Sequence, residues 1–234
     1  MPRPEAYKNH SGTILPGVTT VVNLLDKGFG MTHAAWKLGM KNIDYKKEWN
    51  RKRDIGTFTH LAIGEFLGNI LSPRKEDTEG NTYDWYYLAP ESITKNYSDI
   101  ELAEMFDLAD ENFEIYKDYH REMGINPVFV EQPFISEYYQ YGGTLDLVAR
   151  TADERLLLID FKTSPRIYTG HVIQLSAYNW LLKESGNPVE CAFILSIDTG
   201  KWHEHIFEQD DLYMYFEMFK VLRQAYFINK HLKV

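Results

Sequence analysis

With 234 residues and 44% apolar content the chain can bury a sizeable core, which excludes a wholly disordered polypeptide. A net charge of −9 argues against a protein coated in positive charge for nonspecific nucleic-acid binding. The single cysteine, Cys191, excludes an internal disulfide and any four-cysteine zinc or iron–sulfur site.

The N-terminal "MPRPEAYKNHSG" lacks the apolar stretch of a signal peptide, and runs such as "LLLI" are too short to cross a bilayer. A cytoplasmic protein with no membrane role is expected. No G-x-x-x-x-G-K-[ST] occurs, so nothing suggests a nucleotide-driven motor.

In chain order, "ILPGVTTVVNLL" predicts a short helix entered after Pro16, with Trp36 on the next helix. The segment "KNIDYKKEWNRKR" concentrates Lys46, Lys47, Arg51, Lys52 and Arg53, a pattern read either as a solvated surface or as a phosphate-binding face. A helix is predicted from about Gly56 to Ile70, with His60, Ile63, Leu67 and Ile70 on one stripe. Residues 72–98 read as a loop excursion, and Asp99 as the cap of a long helix that Gly124 stops.

After Pro127 the periodicity changes to alternation. "VFVEQPFI", "YGGTLDLVAR" and "RLLLIDFK" predict three strands, with "TADE" turning between the last two. "GHVIQLSAYNWLLKES" is a helix closed by Gly186, "VECAFILSI" and "KWHEHIFE" form a hairpin, and a last aromatic-rich helix starts near Asp210. The expected fold class is α/β, with a central mixed β-sheet flanked by helices in the order αβββαβ and helical additions at both ends. All 234 residues are expected in one domain, with 1–55 as a helical, partly basic, DNA-facing segment.

The chemistry concentrates in two strands. Asp160 and Lys162 of "LIDFKTS" leave one strand face, and a turn centred on Asp153 sets Asp146 of "GTLDLV" opposite Asp160. Two facing carboxylates repel unless protonated or bridged by a cation, and an all-oxygen set favours Mg²⁺ or Mn²⁺. Lys162 lies near enough to reach a metal-bound water or a phosphate oxygen. Read by themselves, Asp160 and Lys162 also fit a buried ion pair, His60 a core histidine, and Gln174 and Tyr178 helix packing. His203 and His205 share a strand face, but without a third ligand they read as exposed-strand residues.

"GTLDLV" followed by "LIDFKTS" resembles the motif of the PD-(D/E)xK nuclease superfamily, with a restriction-endonuclease-like core. "QLSAY" resembles the Q-x-x-x-Y motif and "GTFTH" the G-x-x-x-H motif of RecB-like nucleases, and the N-terminal pattern is similar to phage RecE-type and mitochondrial genome maintenance exonucleases. The resemblance implies a metal-dependent DNA exonuclease of phage-type recombination, replication or repair. It implies one or two Mg²⁺ or Mn²⁺ ions on His60, Asp146, Asp160 and the Phe161 main-chain carbonyl, with Lys162 positioning the attacking water. Gln174 and Tyr178 would hold the DNA backbone. Glu131 of the first predicted strand reads either as an outer carboxylate of the site or as one that orients the lysine. Glu65 falls one position beyond the glutamate common in that group and is left out of the site.

The rival readings are a structure-specific or restriction-like endonuclease and a catalytically silent DNA-binding subunit. DNA, a single-strand annealing or single-strand binding protein, and a second copy of the chain are the expected partners.

Overall fold

The computed structural model describes residues 6–25, 28–71, 85–164, 166–198 and 200–232, with only the backbone described at 28–31. The chain divides into two compact units, one comprising 26–117 and the other 1–25 with 118–234.

The sheet-bearing unit begins with a two-stranded ladder, β1 (Tyr7–Lys8) and β2 (Ile14–Leu15), and helix α1 (Val18–Val22). Its main sheet has five strands in the order β3 (Asn126–Ser136), β4 (Tyr141–Arg150), β5 (Leu156–Lys162), β6 (Cys191–Asp198), β7 (Lys201–Phe207). All neighbours are antiparallel except β5 and β6, which run parallel. That parallel step requires a crossover, and helix α6 (Thr169–Glu184) supplies it. Helix α7 (Gln209–His231) follows β7. The sheet is therefore mixed and flanked by helices, as its alternating patterns predict.

The core of this unit explains the long apolar runs. Leu145, Val148, Leu158, Ala192 and Ile194 of the sheet pack with Ile173, Ala177 and Leu181 of α6 and Phe216 and Phe219 of α7. Tyr141 spans the layers, its ring against Phe219 and its hydroxyl donating to the Ala177 carbonyl at 2.9 Å. Strand β4 is buried along almost its whole length on both faces, including the face that carries Thr144 and Asp146.

The helical unit contains α2 (Gly28–Gly39), α3 (Tyr45–Leu71), a 3-10 turn (Trp85–Leu88), α4 (Glu91–Thr94) and most of α5 (Asp99–Met123). Its core includes Phe58, Ala62, Ile63, Leu67, Trp85, Met105 and Phe113. Asp54 is buried and satisfied by Tyr97, which donates at 2.8 Å, and by Arg53 at 3.0 Å. Burial and the bond to Asp54 push the Tyr97 hydroxyl up to about 12.

Four sequence expectations change here. Helix α3 starts at Tyr45, well before Gly56, and so incorporates the basic segment. The N-cap of α5 is Ser98 rather than Asp99: the Ser98 hydroxyl accepts from the Glu101 N–H, and Glu101 accepts from the Ser98 N–H at 3.0 Å. Of the expected 72–98 loop, 72–84 lies outside the described residues, and the remainder contains the 3-10 turn and α4. Ile70, expected on the buried stripe with His60, is exposed near the helix end, while Ile63 and Leu67 are fully buried.

Candidate active site

Strands β4 and β5 pair in the register set by the turn at Asp153, through Arg150↔Leu156, Ala149↔Leu157, Val148↔Leu158 and Leu147↔Ile159. One further step in that register would set Asp146 opposite Asp160, but the ladder ends at Leu147↔Ile159. Here the backbone ladder stops, and the Asp146 carboxylate accepts from the Phe161 N–H at 2.9 Å. A side chain has taken over a strand partner's hydrogen bond, which fixes Asp146 against the end of β5. Asp146 is 5% exposed and Asp160 1%.

Asp160 and Lys162 do share a face. Lys162 Nζ lies 2.5 Å from Asp160 Oδ2 and donates to the Phe161 carbonyl at 3.1 Å. One ammonium thus ties the aspartate and the main-chain oxygen together. Lys162 itself is largely buried, so the pair is screened less than a surface pair would be.

Glu131 stands beside these residues. It falls between the paired residues Val130↔Leu147 and Gln132↔Leu145, so its position in the register is across from Asp146. Its backbone is left-handed, with φ 44, a conformation that costs of order 1 kcal/mol or more in a non-glycine residue and persists only where its surroundings enforce it. A carboxylate oxygen of Glu131 lies within 4.8 Å of one of Asp146.

Glu131 and Asp146 bring carboxylate oxygens within 4.8 Å of each other, a spacing that a bridging cation favours. The donors at this strand end are carboxylate and carbonyl oxygens, suited to a hard divalent ion. The residues present therefore fit such a metal.

Helix α6 brings the remaining predicted pair. Gln174 Nε2 donates to the Tyr178 hydroxyl at 2.8 Å, so the two act as a unit. Tyr178 seats on Gly143, three residues before Asp146 in β4; a Cβ at Gly143 would lie 2.6 Å from the Tyr178 ring, which is why that position has none.

His171, one turn before Gln174, was not singled out by the sequence. Burial and then the charge of Lys162 pull its imidazole down to about 4, and its Nδ1 accepts from the Tyr168 N–H at 3.4 Å. Its spacing to Gln174 and Tyr178 was the one available signal, because all three share a helix face.

His60 lies on α3 of the helical unit, half-buried, on the stripe with Ile63 and Leu67. The basic residues of α3 are engaged in ion pairs: Lys47 with Glu101 at 2.7 Å, Arg51 with Glu104 at 3.1 Å, Lys52 with Glu48 at 3.3 Å, and Arg53 with Asp54 at 2.9 Å. The Lys46 backbone N–H donates to Asp44 at 2.9 Å. His203 and His205 lie on edge strand β7, where His205 contacts Ser196 at 3.2 Å and burial lowers its pKa.

The family model of the PD-(D/E)XK nuclease superfamily matches residues 34–227. The chain belongs to this superfamily. Nucleases of the PD-(D/E)XK superfamily use divalent metals, in keeping with the neighbouring carboxylates of Glu131 on β3 and Asp146 on β4. No curated protein matches the chain.

Two solved structures resemble part of the chain. One is the protein SSO0001, at 14% identity and a TM-score of 0.30, over 56% of this chain and 64% of that one. The other is a candidate exonuclease from Eubacterium rectale, at 12% identity and a TM-score of 0.38, over 60% of this chain and 64% of that one. The chain thus spans less than two thirds of the length of either. No helix among the described residues is long and apolar enough to cross a membrane.

Proposed function

We propose that this PD-(D/E)XK nuclease is a Mg²⁺- or Mn²⁺-dependent exonuclease that hydrolyses phosphodiester bonds from DNA ends. The observation that carries the reading is the hydrogen bond from the Phe161 N–H to Asp146, which holds two aspartates and a lysine at one strand end. Asp146, Asp160 and the Phe161 carbonyl would hold one or two ions. His60 is assigned as a further ligand by its place in the "GTFTH" motif. Metal bound by these groups would polarise the phosphoryl centre and lower the pKa of water.

Lys162, held by Asp160 and the Phe161 carbonyl, orients the attacking water and stabilises charge that develops on the phosphate oxygens. Glu131 adds its carboxylate beside Asp146 and sharpens the local demand for a cation. Gln174, locked to Tyr178, holds the DNA backbone beside the cleaved bond. Lys46, Lys47, Arg51, Lys52 and Arg53 are assigned to phosphates. The Lys52–Glu48 pair is largely solvent-exposed and therefore weak, so that cation exchanges readily from carboxylate to phosphate.

The preference for ends rests on the "QLSAY" and "GTFTH" resemblance to RecB-like exonucleases. On this proposal the enzyme acts in phage-type recombination, replication or repair, in the cytoplasm of a bacterial or phage-infected cell, beside a single-strand annealing or binding protein. Digestion of linear, end-blocked and circular DNA with Mg²⁺ tests it. Cleavage confined to free ends is expected; nicking of closed circles would make the enzyme an endonuclease, and inert protein with metal bound would make it a silent DNA-binding subunit.

A further inference from the structure

The parallel step from β5 to β6 leaves two strand ends side by side, and the register across them continues past Lys162 to the edge of the sheet. Lys162 pairs with Ser196 of β6, and Ser196 with His203 of β7. One pleat back, Asp160 pairs with Ile194, and Ile194 with His205. Paired residues leave the same face of a sheet, so His203 and His205 share the face of Asp160 and Lys162. At about 4.8 Å between neighbouring strands, His203 stands ~10 Å across the sheet from Lys162.

The two sides of Lys162 differ in chemistry. Toward β4 and β3 stand the carboxylates of Asp146 and Glu131, which suit a cation. Toward β6 and β7 stand a hydroxyl and two imidazoles, which suit an anion. Farther out on that face Asp198 stands opposite Lys201, so its charge meets an opposite one. Ser196 is 1% exposed, and its hydroxyl meets His205 Nε2 at 3.2 Å. Donation from Ser196 to Nε2 leaves the ring proton on Nδ1 and fixes the ring. Burial, then the charge of His203, holds the His205 pKa below its ordinary value, so the ring is a neutral donor. His203 is exposed on the edge strand. Neither its ring nitrogens nor His205 Nδ1 have a hydrogen-bond partner among the described residues.

On the reading of this chain as a DNA nuclease, we propose that His203 and His205 form a phosphate subsite, which holds the cleaved strand at a phosphate near the one that reacts at Lys162. Ser196 is a positioning residue that acts through His205. A duplex strand advances about 3.4 Å along its axis per nucleotide, so ~10 Å reaches a phosphate within about three nucleotides of the reacting one.

A binding titration of labelled DNA with the full chain, in Ca²⁺ to hold back cleavage, tests the subsite. It is repeated with one uncharged methylphosphonate moved along the strand linkage by linkage. Each linkage that the wild type holds should show as a loss of affinity. Combining His203→Ala with His205→Ala should weaken binding of unmodified DNA by about 10-fold or more, the range of a hydrogen bond to a charged group, with an unchanged circular dichroism spectrum. It should also erase the loss at one or two linkages and leave the others. His203→Gln with His205→Gln, which keeps N–H donors, should restore most of the affinity. Ser196→Ala should weaken binding by the wild type and add little in His205→Ala. A double alanine variant that binds like the wild type, or that binds more weakly with the wild-type pattern of losses intact, would overturn the subsite. Because the titration reads binding, a wild type that shows the pattern yet does not cleave in Mg²⁺ would count against the nuclease reading alone.

Discussion

The Phe161 N–H donates to Asp146 Oδ2 at 2.9 Å, just beyond the last β4–β5 ladder pair, Leu147↔Ile159. Asp146 therefore has two separable duties, closing the ladder with an acceptor and presenting a charge. Asp146→Asn keeps an acceptor and loses the charge; Asp146→Ala loses both. We expect both variants to lose nuclease activity. Only Asp146→Ala should lose stability as well, by about 1–3 kcal/mol, because it leaves a buried N–H without its partner. Chemical denaturation beside a cleavage assay checks the split, and equal destabilisation by both would assign Asp146 a purely electrostatic structural role.

Glu131 is expected to show a conflict between stability and function. Its left-handed φ is strained in any non-glycine residue, whether or not a cation is bound. Glu131→Gly should relieve that strain and raise the melting temperature of the metal-free protein. The same change should reduce activity and shrink the rise in melting temperature on adding Mg²⁺. A Glu131→Gly protein that is less stable in EDTA would show that the side chain's interactions outweigh its strain.

His171 makes stability depend on pH in a defined window. Its folded pKa of about 4 lies below the unfolded value of 6.5, so the unfolded chain binds the extra proton first as pH falls. Stability is therefore fully present above pH 6.5 and is lost toward pH 4, with a slope of at most about 1.4 kcal/mol per pH unit from this one group. His171→Gln retains an acceptor for the Tyr168 N–H and should flatten that part of the profile in EDTA. An unchanged slope would mean that the imidazole titrates normally.

For the basic face of α3, Lys46→Gln combined with Lys52→Gln should weaken DNA binding and flatten its dependence on salt concentration, by roughly one unit of slope for each phosphate no longer neutralised. Lys47 and Arg51 serve poorly as first choices, because their pairs with Glu101 and Glu104 also brace α3 against α5. A salt slope equal to that of the wild type would leave the segment a solvated face.

The sheet was legible because alternation and turn chemistry agree. "YGGTLDLVAR" is β4 from its first residue to its last, and the turn at Asp153 set its true register with β5. Residues 45–55 were read as part of a helical segment, but their continuity with the helix expected from Gly56 was not legible because they lack apolar periodicity; ion pairs to Glu101 and Glu104, more than fifty residues away, accompany the helix there. Within the site, Asp146, Asp160 and Lys162 were legible as a motif. The backbone of Glu131 was not, because a positive φ inside a strand arises from pairing context rather than from local preference. His171 was hidden for a different reason: its character comes from burial and from Lys162, neither of which leaves a local mark on the sequence.

The most direct measurement is single-turnover cleavage of linear DNA in Mg²⁺ by the wild type, Asp160→Asn and Lys162→Met, each shown to be folded. The wild type should cleave, and each variant should fall by at least about 100-fold, the loss expected when one preorganised group at a reacting phosphate is removed. Cleavage by either folded variant at near the wild-type rate would contradict the assignment of Asp160 and Lys162 to the chemistry, and the pair would then be a buried ion pair and nothing more.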